Sequence, residues 1–342
     1  MRFRLEPVAL ALVVIAVVPY LVLKVLWLTG ATIGVDDESV LTELHSTRMV
    51  VGNNVTIGLE LLAVGLALAL TSAWGRRVPA WIMLGLGAGA TGLLAPILLG
   101  LPIGSVLQFL VDGDVHTAGM DHLSPWVFAT VYGGFALMAV GISALAWRYA
   151  ATRWGHVLRQ PPQPPSVWAI VAGALGLIPF GAAMLWWGVF GPGASGPQGM
   201  DAVAQRTTLV VTGLLAVGGF LAPLSRTICN RAPRLTWLLT WVGCTTAALQ
   251  APTQVLLANG GHPTRALVLL GLMTVPGSSI YGLLVLRRHL IQHRRASRQL
   301  KHQILPVRDR HTEPLHQAGS TPSLVPPQSR HEGRTTTREE QP

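Results

Sequence analysis

The sequence predicts an all-α protein, a polytopic membrane helix bundle of eight transmembrane helices, and three observations carry that reading. Half of the 342 residues are apolar and only 12% are charged. The apolar residues fall in separate runs of about twenty, which as helices span a bilayer core of ~30 Å. Basic residues are segregated by side. With the N-terminus inside, twenty-one Arg and Lys fall in inner segments, three (Arg48, Arg206 and Arg265) in outer ones, and Lys24 lies within the first run. This asymmetry sets both termini inside. Tryptophans form two belts, with Trp74, Trp81, Trp147, Trp154, Trp168 and Trp237 near inner helix ends and Trp27, Trp126, Trp186 and Trp187 near outer ones. Amphipathic rings at both interfaces suit a spanning bundle. The net charge of +10 therefore reports topology, and nucleic-acid binding by the core is not expected.

The first span is expected over 8–29. Arg2 and Arg4 precede it, and it is too long for the apolar part of a cleaved signal, so it serves as its own insertion signal. An acidic outer loop follows, with Asp36, Asp37, Glu38 and Glu43. The second span, 53–73, opens with Asn53, Asn54 and Thr56 and carries Glu60. Asn53, Thr56 and Glu60 share one helix face by spacing. The third, 80–101, is Gly-rich around Gly85, Gly87, Gly89 and Gly92 and then meets Pro96; small residues allow close helix approach. The loop 102–124 follows, and its apolar stretch Ser105 to Val111 is expected to lie on the outer surface. The fourth span is 125–147, containing Tyr132, Gly133 and Gly134.

Pro161, Pro162, Pro164 and Pro165 make a stiff inner linker, which divides the chain into a four-helix unit at 1–150, a linker at 151–166 and a second four-helix unit at 167–290. The remaining spans are expected over 167–189, 207–224, 236–257 and 265–286. Pro19-Tyr20 through Trp27 returns as Pro179-Phe180 through Trp187, with Met184 in the place of Lys24 and Gly213 in that of Glu60. Arg77-Val-Pro79 returns as Arg231-Ala-Pro233. An even number of spans per unit makes this a parallel duplication. Residues 291–342 are Arg-, His-, Pro- and Ser-rich and are expected to form a disordered basic tail inside the cell. Arg287, Arg288, Arg294, Arg295, Arg298 and Lys301 at its start suit anionic lipid at the inner face, and the tail could recruit a cytoplasmic protein.

Polar residues within spans are the candidate functional groups. Lys24 and Glu60 fall at similar depth on sequential helices, ~6 Å and ~9 Å from the outer edge at 1.5 Å per residue. Unpaired charges there are costly. The expectation is a Lys24–Glu60 ion pair completed by Asn53, Thr56 and Tyr20, against the alternative that Lys24 snorkels outward and Glu60 is hydrated. A lysine stands out in a chain with twenty-three arginines and two lysines. In the second half Gln250, with Thr246 and Thr253, forms a second polar site; interhelical hydrogen bonding is the plainer reading of it. Asp112, Asp114, His116, Asp121 and His122 have the ligand types for a divalent cation. They lack the frame of an EF-hand or a His-Glu-x-x-His helix, and a solvated acidic loop is the favoured reading. Cys229 and Cys244 lack metal-ligand spacing. No nucleotide-binding loop and no catalytic constellation is recognisable, so neither a cofactor nor an enzymatic activity is expected.

The phrases Lys24-Val-Leu-Trp27-Leu-Thr-Gly30, Trp74-Gly-Arg-Arg77-Val-Pro79-Ala-Trp81, Gly92-Leu-Leu-Ala-Pro96 and Pro125-Trp126-Val-Phe128 resemble those of multi-pass membrane proteins of actinobacteria that have no assigned activity. The resemblance covers most of residues 10 to 290. It implies a bacterial plasma-membrane location and no role for any residue. The functional expectation is a small-solute or ion transporter-like or sensing component that uses the outer polar site. Its alternatives are a structural or partner-binding membrane protein with a recruiting tail, and a lipid-modifying enzyme.

Overall fold

Apolar runs of this length leave the backbone one economical choice. In a helix every peptide group is bonded within its own segment, and no polar backbone faces lipid. A computed structural model describes residues 5–36, 46–115, 123–256, 258 and 262–308. It contains eight long helices, α1 (Leu5–Leu28), α2 (Thr47–Thr71), α3 (Ala80–Asp112), α4 (Pro125–Arg153), α5 (Val167–Phe190), α6 (Val203–Leu221), α7 (Pro233–Leu256) and α8 (Arg265–Arg308). Two short α-helical turns, Gly155–Leu158 and Arg226–Arg231, lie in the connections, and no strand occurs among the described residues. The chain divides into two compact units, Met1–Gln292, which holds the bundle, and His293–Pro342. In the second unit the described residues, 293–308, are helical. The rest of the expected tail, 309–342, lies outside the described residues.

Among the described residues seven helices are long and apolar enough to cross a membrane, and they include all the long helices except α7. Helix α7 is set apart by Thr236, Thr240, Thr245, Thr246 and Gln250, all buried. Most of these hydroxyls bond inside their own helix: Thr236 to Ala232 O at 3.2 Å, Thr240 to Thr236 O at 2.8 Å and Thr245 to Trp241 O at 2.8 Å. A polar helix is tolerated because protein, not lipid, surrounds those positions.

Four helices depart most from the expected bounds, and of these α4 runs past 147 to Arg153. Helix α2 begins at Thr47 because Ser46 caps it, its hydroxyl accepting from Met49 N at 3.3 Å. Helix α3 runs through Pro96 and Pro102 to Asp112 instead of ending at 101. The stretch expected on the outer surface is thus helical, and it packs: Gly104 lies against Ala204, and Gln108 is 2% exposed with its Oε1 accepting from Ala204 N at 3.1 Å. That bond satisfies one of the free N–H groups that open α6. Helix α8 continues past 286 to Arg308.

Two large apolar cores form, one from α1 to α4 around Val13, Ala67, Met83 and Ala139, and one from α5 to α8 around Leu177, Phe180, Met184 and Tyr281, with a small third cluster at Leu23, Trp27 and Val127. Helix α1 packs mainly on α4 and α2, α6 on α5, α3 and α7, and α7 also on α3. Glycine lets α5 and α8 meet, since a Cβ on Gly176 would fall 2.7 Å from Gly277 Cα. The basic end of the bundle is tied by Glu6 to Arg148 at 2.6 Å and by Arg153 to Val78 O at 3.0 Å. At the opposite end Ser124 donates to Asp36 at 2.7 Å, and Arg206 donates to Gly188 O at 3.1 Å at the C-terminus of α5. A cation there suits the helix dipole.

Candidate functional site

Helix α1 turns Val14, Ile15, Val18, Val22 and Val25 outward and Val13, Val17, Lys24 and Trp27 inward. Lys24 is therefore on the packed face. Its side chain is 0% exposed and its Nζ lies 2.5 Å from Glu60 Oε1, with the Glu60 side chain 4% exposed. The ammonium also sits over the Tyr20 ring, 3.7 Å from its centroid. A cation on an aromatic face gains electrostatically when both are desolvated. Tyr20 is in turn braced edge-on by Phe135 of α4, with centroids 5.6 Å apart.

Glu60 is only half satisfied. Its Oε2 is buried and has no hydrogen-bond partner, an arrangement that costs ~1–3 kcal/mol or more for a charged group. Next to it a small cavity is lined by Tyr20, Glu60, Ala16, Gly134, Phe135 and Met138, with about 10 Å³ open to the centre of a water molecule. That is room for roughly one water. The site is thus a carboxylate with one oxygen committed to an ammonium and one without a partner, in a residue that lines a small, mostly apolar void.

The other residues expected there lie elsewhere. Thr56 gives its hydroxyl to Gly52 O at 2.9 Å and Asn53 O at 3.0 Å on its own helix, and Asn53 is half-buried. Both lie one to two turns nearer the helix start than Glu60. The depth expected for Glu60 changes as well: it stands thirteen residues into α2, ~20 Å along the helix, while Lys24 is four residues from the end of α1. Since the two side chains touch, α2 projects beyond the end of α1. What the sequence did not single out is the α4 wall, Val131, Phe135 and Met138. The adjacent Gly133-Gly134 pair was its signal, because Gly134 brings α4 against Ala16 O.

Gln250, Thr246 and Thr253 do not form a joint site. Gln250 Nε2 donates to Gly92 O at 3.2 Å, joining α7 to α3, and Thr253 bonds Leu249 O at 2.7 Å. Thr246 is 0% exposed, and its hydroxyl has no partner. Of the acidic outer cluster, Asp112 ends α3 and Asp114 accepts from Val115 N at 2.6 Å. His116, Asp121 and His122 lie outside the described residues. Among the described residues no group of three or more His, Cys, Asp or Glu could hold a metal ion.

No protein-family model, no curated protein and no solved structure matches this chain.

Proposed function

We propose that this is an eight-span, internally duplicated protein of a bacterial plasma membrane, ion-transporter-like, whose first half carries a small-cation site at Lys24, Glu60 and Tyr20. The observation that carries this reading is the unsatisfied Glu60 Oε2 beside a water-sized void. Elsewhere among the described residues several buried polar groups bond across helices, and the Thr246 hydroxyl, which has no partner, carries no charge. Gln250 bonds Gly92 O, Thr274 bonds Gly176 O at 3.3 Å, and Tyr281 bonds Phe220 O at 2.7 Å. A pair that served only as glue would have no use for an open carboxylate oxygen. A proton or a small monovalent cation is what such an oxygen can take, in competition with the Lys24 ammonium for the carboxylate. The void is too small for an organic solute.

Burial patterns support duplication. Six of the seven buried positions of α1, namely Ala9, Val13, Ala16, Val17, Lys24 and Trp27, have buried counterparts 160 residues on, at Ala169, Gly173, Gly176, Leu177, Met184 and Trp187. In α2, Glu60, Leu66, Ala67 and Ala69 match buried Gly213, Gly219, Phe220 and Ala222, 153 residues on. The second half fills the site's place with Met184 over Gly213, so the charges are an addition to the scaffold. Helix α7 supports the eighth span: its 24 residues extend ~36 Å at 1.5 Å each.

The test is ion flux into liposomes containing the purified full chain, with trapped pH- and sodium-sensitive dyes. Flux above that of empty liposomes is expected, and its abolition in Glu60→Gln. No flux in the wild type for either ion, or full flux in Glu60→Gln, would overturn the reading.

A further inference from the structure

We infer that the basic end of the bundle carries a groove for the phosphate of an anionic phospholipid headgroup, built where the connection from α4 to α5 meets the start of α7. Arg159, Arg231 and Arg234 line an open groove of about 420 Å³ together with Ala232, Pro233 and Leu235. All three arginines are exposed. Among the described residues none of them has an ion-pair partner. The sequence gives the reason: between Asp121 and Asp309 the only acidic residue is Asp201, in the loop after α5 at the opposite end. Three guanidinium groups around one concavity, without a carboxylate to neutralise them, repel one another unless an anion enters. Planar guanidinium forks match phosphate oxygens in geometry as well as charge.

The groove is held in shape. Trp237, one turn into α7, donates its ring N–H to Gln160 O at 3.0 Å, which pins the residue beside Arg159 to the helix that carries Arg234. Helix α7 begins at Pro233, so its positive dipole end also faces the groove.

Lipid, and not a free anion, is favoured by what borders the arginines. Leu235 lines the groove and is 47% exposed, and Leu238 is 44% exposed three residues on. These place apolar surface on α7 directly beside the charges. A headgroup in the groove could lay an acyl chain along that face, whereas inorganic phosphate would leave it bare. Arg76 and Arg77 of the first half, where Arg77 corresponds to Arg231, are exposed and provide a basic control pair outside the groove.

The experiment is thermal melting of the purified full chain in neutral detergent with short-chain phosphatidylglycerol, short-chain phosphatidylcholine or inorganic phosphate at equal concentration. Phosphatidylglycerol is expected to raise Tm, and the other two to do so weakly or not at all. In R159Q/R231Q/R234Q the half-saturating phosphatidylglycerol concentration should rise about tenfold or more, ~1.4 kcal/mol, while R76Q/R77Q keeps the wild-type value. If the triple variant fails to fold, R159Q alone should still shift the midpoint. An unchanged midpoint in the groove variants, an equal shift in R76Q/R77Q, or equal stabilisation by inorganic phosphate or phosphatidylcholine would each overturn the assignment.

Discussion

An ammonium four residues from a helix end has an easy escape, because its four-carbon stem can carry the charge to the interface. Lys24 does not take it. It points to the packed side of α1 and meets Glu60 at 2.5 Å, where neither charge can be removed without stranding the other. Deleting one partner of a buried pair costs ~3–5 kcal/mol, whereas replacing both by apolar groups of similar volume is often neutral. Glu60→Ala and Lys24→Ala should each lower Tm markedly. Lys24→Met/Glu60→Met should recover most of the loss, as the second half does with Met184. Equal melting in all four proteins would show that the pair is hydrated and not buried. The pair was legible in the sequence from two charges in apolar runs on neighbouring helices. Its open oxygen was not, because whether Oε2 finds a donor depends on where α4 stands. Thr56 shares the spacing of Glu60, yet its hydroxyl bonds carbonyls of its own helix, and Asn53 is half-buried two turns away.

At the scale of helices, close approach is set by particular glycines and not by glycine content. A Cβ on Gly134 would fall 2.9 Å from Ala16 O, while the neighbouring Gly133 has nothing within 4 Å. Gly134→Leu should therefore destabilise the protein strongly by parting α4 from α1, and Gly133→Leu should leave Tm nearly unchanged. Gln250→Leu, which loses the bond to Gly92 O, should cost about 0.6 kcal/mol and at most ~1.7 kcal/mol, the mean and maximum for hydrogen bonds between membrane helices; an unchanged Tm would show that the bond contributes nothing. Helix existence was readable from apolar runs, but ends were not. Ser46 starts α2 earlier than the apolar pattern does. Helix α3 continues because Gly104 and Gln108 find α6 to pack on, which no local pattern in 102–112 announces. Helix α7 reads as the least apolar span because its polar side chains face protein.

Across the whole molecule, the eight-span topology proposed above would place the two ends of α7 on opposite sides of the membrane. Single cysteines at Asn230 and His262, both exposed, in a C229S/C244S background should respond oppositely to a membrane-impermeant thiol reagent on intact cells, with position 262 labelled and 230 not. The same response at both positions, labelled or unlabelled, would leave seven spans. The native thiols are buried, and burial pushes that of Cys229 above its ordinary pKa, so the background removes only two weakly reactive thiols. The repeated frame of α1 and α5 was visible in the residues themselves, and their matching burial supports the proposal of one scaffold used twice, with charge placed in only one copy. Whether that charge does work is tested most directly by sodium and proton flux through liposomes holding Lys24→Met/Glu60→Met, the variant expected to stay folded. The account predicts wild-type melting with flux reduced to that of empty liposomes. Flux equal to wild type in that variant would contradict it.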